Sequence, residues 1–121
     1  MGVGYSLVNR TKRERILFHG IGASTQSELA GHPAASAITT WYLIANAGDE
    51  MAFVSDTHGE WPFAEGSVDE LREFEEVTAR VVDELLAAGV LADHGRTYED
   101  PDDPENVFVR DLRNVWMEGD A

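Results

Sequence analysis

Within SDTHGEWPF (residues 55–63), Asp56, His58 and Glu60 alternate, and Trp61 follows directly. Alternate residues of an extended chain project to the same side, so a carboxylate, an imidazole and a second carboxylate would share a face. That set suits zinc, manganese or iron, and equally general acid–base chemistry. A divalent metal is the one cofactor the sequence invites. Such a site recruits a further ligand from elsewhere, and His19, His32 and His94 are the remaining histidines. Gly59 and Pro62 mark a turn. The competing reading is therefore a polar loop whose Trp61 and Phe63 plug the edge of the core.

A second constellation is HGIGAST, residues 19–25. A strand, then Gly20 and Gly22, then a helix starting near Thr25 would set free backbone N–H groups at a helix N-terminus, where anions bind. Arg10, Lys12, Arg13 and Arg15 lie just upstream, the one basic zone of the chain. Neither G-x-x-x-x-G-K-[ST] nor G-x-G-x-x-G is matched, so no nucleotide motif is present. The competing reading is a flexible connection. A third stretch, EDPDDPEN (residues 99–106), clusters carboxylates as calcium sites do. The EF-hand order is absent and two prolines stiffen it, which favours a solvated acidic turn.

Several chemistries are excluded by what is missing. The chain has 121 residues and no cysteine. That removes disulfides, thiolate nucleophiles, Fe–S clusters and Cys-ligated zinc. No G-x-S-x-G elbow and no H-E-x-x-H pair occurs. MGVGYSLVNRTKRER lacks the apolar segment of a secretory signal, and no run approaches membrane-span length. A cytoplasmic location is the expectation. Arg outnumbers Lys 8 to 1, a composition that suits a GC-rich bacterial genome.

Net charge is −14, and its placement is uneven. Residues 1–48 carry net +2 and residues 49–121 carry net −16. Such a surface repels phosphate backbones and speeds encounter with basic proteins. Solubility alone would also account for it.

The elements that must position these groups follow from pattern. GYSLVN (4–9) and RERILFHG (13–20) read as an antiparallel hairpin around RTKR. Thr25 and Glu28 form a capping box for a short helix that Gly31 can end. Pro33 and Gly48 bracket a second helix, although ITTWYLI within it is β-prone. DEMAFVSD (49–56) reads as a buried strand. Ser67 and Glu70 open a long helix over 67–88, with Val68, Leu71, Phe74, Val81 and Leu85 inward and Gly89 as its stop. Leu71, Phe74, Val81 and Leu85 are expected to pack on the sheet with Phe53, Ile16 and Phe18. RTY and NVFVRDL pair as a terminal hairpin, which NVW extends. The fold class is α+β: one domain over 1–121, a small, mostly antiparallel sheet with two to three helices packed on one face.

GYSLVNRTKRE, with AITTWYLIANAGDEMAFVSD further on, resembles small bacterial proteins that open with a Gly-Tyr-x-Leu-Val-Asn-x-Thr-Lys pattern. The resemblance spans roughly the first half of the chain. It implies a stand-alone bacterial domain and no particular activity.

The functional expectation is a non-enzymatic acidic interaction protein, inhibitor- or immunity-like, that binds a basic protein partner. Glu73, Glu76 and Asp83 on the outer face of the 67–88 helix, with Asp102 and Asp103 in the acidic turn, are the expected contacts. The alternative is a small metal-dependent enzyme or metal-binding domain built on Asp56, His58 and Glu60. A homodimer with an anion at Gly20, Gly22 and Thr25 is the third. Neither nucleic acid nor membrane is an expected partner.

Overall fold

The computed structural model describes residues 4–23, 25–55 and 61–118. Tyr5–Asn9 (β1) and Glu14–Leu17 (β2) form the expected antiparallel hairpin, with Leu7 opposite Ile16 and Asn9 opposite Glu14. Met51–Ser55 (β3) lies antiparallel on the other side of β1. A two-residue strand, Glu75–Glu76 (β4), runs parallel to β2, so the sheet order is β3-β1-β2-β4. Leu91–Glu99 (β5) and Phe108–Asn114 (β6) make a second, antiparallel sheet of two strands. The helices are Gln26–Gly31 (α1), Pro33–Ala45 (α2), Thr78–Ala87 (α3) and Val115–Glu118 (α4). The class is α+β.

Strand alternation sorts the core into two layers. Leu7, Ile16 and Phe53 face α2 and α3, joining Phe18, Ile38, Tyr42, Val81 and Leu85 in one cluster, with Leu29 of α1 at its margin. Val8 and Val54 face the other way and meet Phe63 and Phe74, with Trp61 and Leu71 partly buried beside them. The α-helices cover one face as expected. The other is closed by residues 61–74, which contain only a 3-10 turn over Val68–Glu73.

That turn corrects the long helix read over 67–88. Val68, Leu71, Phe74 and Val77 recur every three residues, which is the 3-10 repeat; an α-helical stripe mixes threes and fours. The capping box of Ser67 and Glu70 does open the turn. The chain then extends, with the Glu75 N–H donating to the Arg13 carbonyl and the Val77 N–H to that of Arg15. Thr78 continues the pairing by side chain, its hydroxyl oxygen accepting the Leu17 N–H at 3.0 Å. Only from Thr78 does the α-helix run, and Val81, Val82 and Leu85 are its buried positions. Leu71 and Phe74 consequently pack on the opposite face of the sheet from Val81 and Leu85. Gly89, with φ of 77°, turns the chain out of α3 into β5, where a side chain would strain the left-handed backbone.

Helix α2 overrides the β-propensity of ITTWYLI because its two ends are capped and its 34/35, 38, 42 stripe is buried. Pro33 sits in its first turn. His32 is the N-cap, its Nδ1 accepting the Ala35 N–H at 3.2 Å. The helix ends at Ala45 with Asn46 as its cap, two residues before Gly48. Replacing His32 with alanine is expected to lower stability by about 1 kcal/mol, and asparagine at the same position to restore it. Equal denaturation midpoints for all three proteins would show that the cap adds nothing.

NVW extends the terminal hairpin only through Asn114, which pairs with Leu91; Val115 begins α4. Among the described residues, no helix is long and apolar enough to cross a membrane.

Candidate partner-binding cleft

Asp56, His58 and Glu60 lie outside the described residues. Trp61 and Phe63 do plug the core edge: their rings meet edge-on with centroids 5.0 Å apart, and Trp61 Nε1 donates to the Glu65 carbonyl at 2.6 Å. No cluster of three metal-ligating side chains occurs among the described residues. In the acidic turn, Asp100 Oδ1 accepts the Asp102 N–H at 2.8 Å and the Asp103 N–H at 3.3 Å. Asp103 Oδ1 accepts from Asn106. These carboxylates shape the turn instead of converging on one point.

The two halves of HGIGAST serve different neighbours. Thr25 caps the six-residue α1, its hydroxyl oxygen accepting the Glu28 N–H while the Glu28 carboxylate accepts the Thr25 N–H. A carboxylate already occupies that helix end. Gly20 and Gly22 instead pack on β6. A Cβ on Gly22, whose φ is 82°, would come within 3.2 Å of Val109 Cγ1, so glycine lets the turn close on the strand.

Between this turn, the end of β2, α3 and the β5–β6 hairpin lies a cleft of about 380 Å³. Leu17, Ile21, Val82 and Phe108 give it an apolar floor. Glu76 of β4 lines one side; Tyr98, Asn106 and Val107 line the other, beside the acidic turn. Tyr98 and Val107 are roughly half exposed. Arg110 also lines it, but its guanidinium is held by Asp93 at 3.0 Å. That contact, with the Gly95 N–H as the larger influence, keeps the Asp93 carboxyl below its ordinary range.

Glu76 is the one carboxylate among the described residues that line the cleft. Among the described residues, seven of the nine Lys and Arg side chains form ion pairs with carboxylates. Among them, Arg96 also stacks over Phe108, 3.8 Å from the ring centre. Asp69, Glu75, Glu76, Asp83, Asp102 and Glu105 form no ion pair among the described residues.

Of the expected contacts, Glu76 lines the cleft, while Asp102 and Asp103 lie in the turn just before its lining residue Asn106. Asp83 is exposed on α3, next to Val82 of the floor. Glu73 belongs elsewhere: it faces Arg13 at 3.8 Å, and neither it nor Glu76 is on a long helix. Tyr98, Val107 and Phe108 are site residues that sequence reasoning misses. Their signal is the apolar run VFV facing Tyr98 of RTY, in a largely exposed hairpin.

A second polar constellation is closed. Glu14 on β2 accepts from the Tyr42 hydroxyl at 2.7 Å and from both terminal nitrogens of Arg80 at 3.1 and 3.3 Å. Beside it, fully buried Asn9 donates to Asp49 and accepts the Lys12 N–H, and Lys12 bonds Asp49 in turn. Every member partners another, so this group ties α2 and α3 to the sheet.

Comparison with protein-family models, with curated proteins and with solved structures finds no match for this chain.

Proposed function

We propose that the chain is a non-enzymatic interaction domain that captures a basic protein segment in the cleft between α3 and the β5–β6 hairpin. The observation that carries this reading is an apolar floor lined by Glu76, with the acidic turn directly preceding the lining residues Asn106 and Val107, in a chain whose own cations are nearly all engaged among the described residues. A segment with apolar side chains on one side and Lys or Arg on the other would bury the first on Val82 and Phe108. It would set the second against Glu76 and the 100–105 turn. An inhibitor of a phosphate-binding protein has this chemistry, with carboxylates standing where the phosphates would.

Titration calorimetry with a basic, apolar-faced peptide and its charge-reversed counterpart tests it. Only the basic peptide is expected to bind. Its affinity should fall at least about tenfold in Glu76→Gln/Asp102→Asn/Asp103→Asn, and fall as salt rises. No binding by the basic peptide, or binding indifferent to the neutralised carboxylates, overturns the proposal.

A further inference from the structure

An arginine beside a cleft for basic segments opposes capture by charge alone. Arg96 of β5 stands there nonetheless. Its guanidinium stacks over the ring of Phe108, part of the apolar floor, 3.8 Å from the ring centre. Nη1 of the same group donates to Glu99 Oε2 at 2.8 Å and to the Pro104 carbonyl at 2.8 Å. Pro104 belongs to the acidic turn, just before the lining residues Asn106 and Val107. The hairpin ladder aims this side chain. Asp93 pairs with Leu112, Arg96 with Arg110 and Tyr98 with Val109, so β5 gains a residue over β6 on either side of Arg96. Gly95, with φ of 96°, lies in the first of these bulges. In a regular strand residues three apart face opposite sides, so the second bulge is what lets Arg96 meet Glu99.

From these contacts we infer that Arg96 is a positioning residue of the cleft, fixing the Phe108 ring and the acidic turn relative to each other; the inference rests on the capture of a basic segment there. The chemistry requires arginine. A planar guanidinium offers its face to an aromatic ring while its edge donates in plane to oxygens. Lysine has the charge but neither the flat face nor the fixed fork, so it cannot hold ring, carboxylate and carbonyl together. The turn has bonds of its own: the Asp100 N–H donates to the Val107 carbonyl at 2.8 Å, and the Val107 N–H to that of Asp103 at 2.9 Å. Those bonds close the turn, and Arg96 ties the closed turn to the ring of the floor. Without that tie, Asp102 and Asp103 would wander from the cleft, and a guest would have to order them on binding.

Arg96→Gln and Arg96→Lys, with Arg110→Gln for comparison, test this in the full chain. The Arg96 side chain is over a third exposed and outside both core clusters, so its replacement leaves the fold standing. Amide hydrogen exchange reads the clamp directly. The Asp100 and Val107 N–H groups are expected to exchange at least about tenfold faster in both Arg96 variants, with those of β1 and β2 unchanged. Calorimetry with the basic, apolar-faced peptide reads the consequence. Charge alone predicts that removing either arginine tightens capture and that Arg96→Lys changes nothing. Positioning instead predicts a loss of at least about threefold in both Arg96→Gln and Arg96→Lys. Arg110→Gln makes the same charge change at a side chain held by Asp93, and should bind at least as tightly as wild type. Arg96 variants that exchange like wild type, or that bind the peptide as tightly, overturn the inference. No capture by the wild-type chain overturns the reading of the cleft, and the exchange rates then decide alone whether Arg96 fixes the turn.

Discussion

Truncating Phe18 to alanine is expected to cost about 4 kcal/mol. The side chain is 1% exposed, and its ring lies 6.0 Å from that of Phe53. The residue follows β2 directly, and its carbonyl accepts the N–H groups of Ile21 and Ala23. Core packing and the turn that borders the cleft therefore depend on one position. Domains of this size have total stabilities of only about 5–15 kcal/mol, so the loss is a large share. It should appear as a fall in melting temperature on the order of 15 °C. Leu71→Ala is the contrast. That side chain is half-buried on the opposite face, and its truncation should cost about 1 kcal/mol. Urea unfolding followed by tryptophan fluorescence measures both. Similar losses for the two variants would refute the two-layer packing.

Where a segment's pairing partners are close in sequence, the fold is legible. The β1–β2 hairpin, the Thr25–Glu28 box and the boundaries of α2 all follow from residues within about a dozen positions of one another. The 67–88 segment is illegible for the same reason turned round. Its extended piece exists because β2, some sixty residues earlier, offers the Arg13 and Arg15 carbonyls to Glu75 and Val77. An edge partner that remote leaves no local signature except the shift from threes to fours in the apolar spacing. His32 does not read as a cap because serine, threonine, aspartate and asparagine dominate that position. Here its imidazole nitrogen does the same work, accepting the Ala35 N–H.

Legibility of the candidate site divides along chemical lines. Charge is visible in composition, so Glu76, Asp102 and Asp103 stand out from the sequence alone. The apolar floor is not visible, because Leu17, Ile21, Val82 and Phe108 come from four separate stretches of chain. Each looks like an ordinary core residue in its own segment. Only their shared place beside the turn shows that the acidic surface has an apolar seat.

The second large effect concerns Glu14. Burial alone would raise its pKa, but hydrogen bonds from Arg80 and Tyr42, with the charges of Arg80 and Lys12, outweigh that and lower it below the ordinary 4.5. A carboxyl that ionises more readily folded than unfolded stabilises fully above its unfolded pKa. That contribution disappears as pH falls through the lower folded value. Tyr42 behaves inversely: burial first, then the Glu14 carboxylate, raise its pKa above the ordinary 10.0. Its contribution is complete below that value and is lost as pH rises through the higher folded one. Glu14→Gln is expected to cost about 2 kcal/mol at neutral pH, a figure tempered by water around the half-exposed Arg80. Stability measured from about pH 3 to 7 should show the gap between wild type and Glu14→Gln closing on the acid side. Tyr42→Phe should instead flatten the alkaline limb. A gap constant across the acid range would mean that Glu14 ionises no more readily folded than unfolded, so that the network does not lower its pKa. Because this network holds α2 and α3 on one sheet, its loss should also loosen the α3 wall of the cleft. Basic-peptide affinity should then fall in Glu14→Gln, although Glu14 itself does not line the cleft.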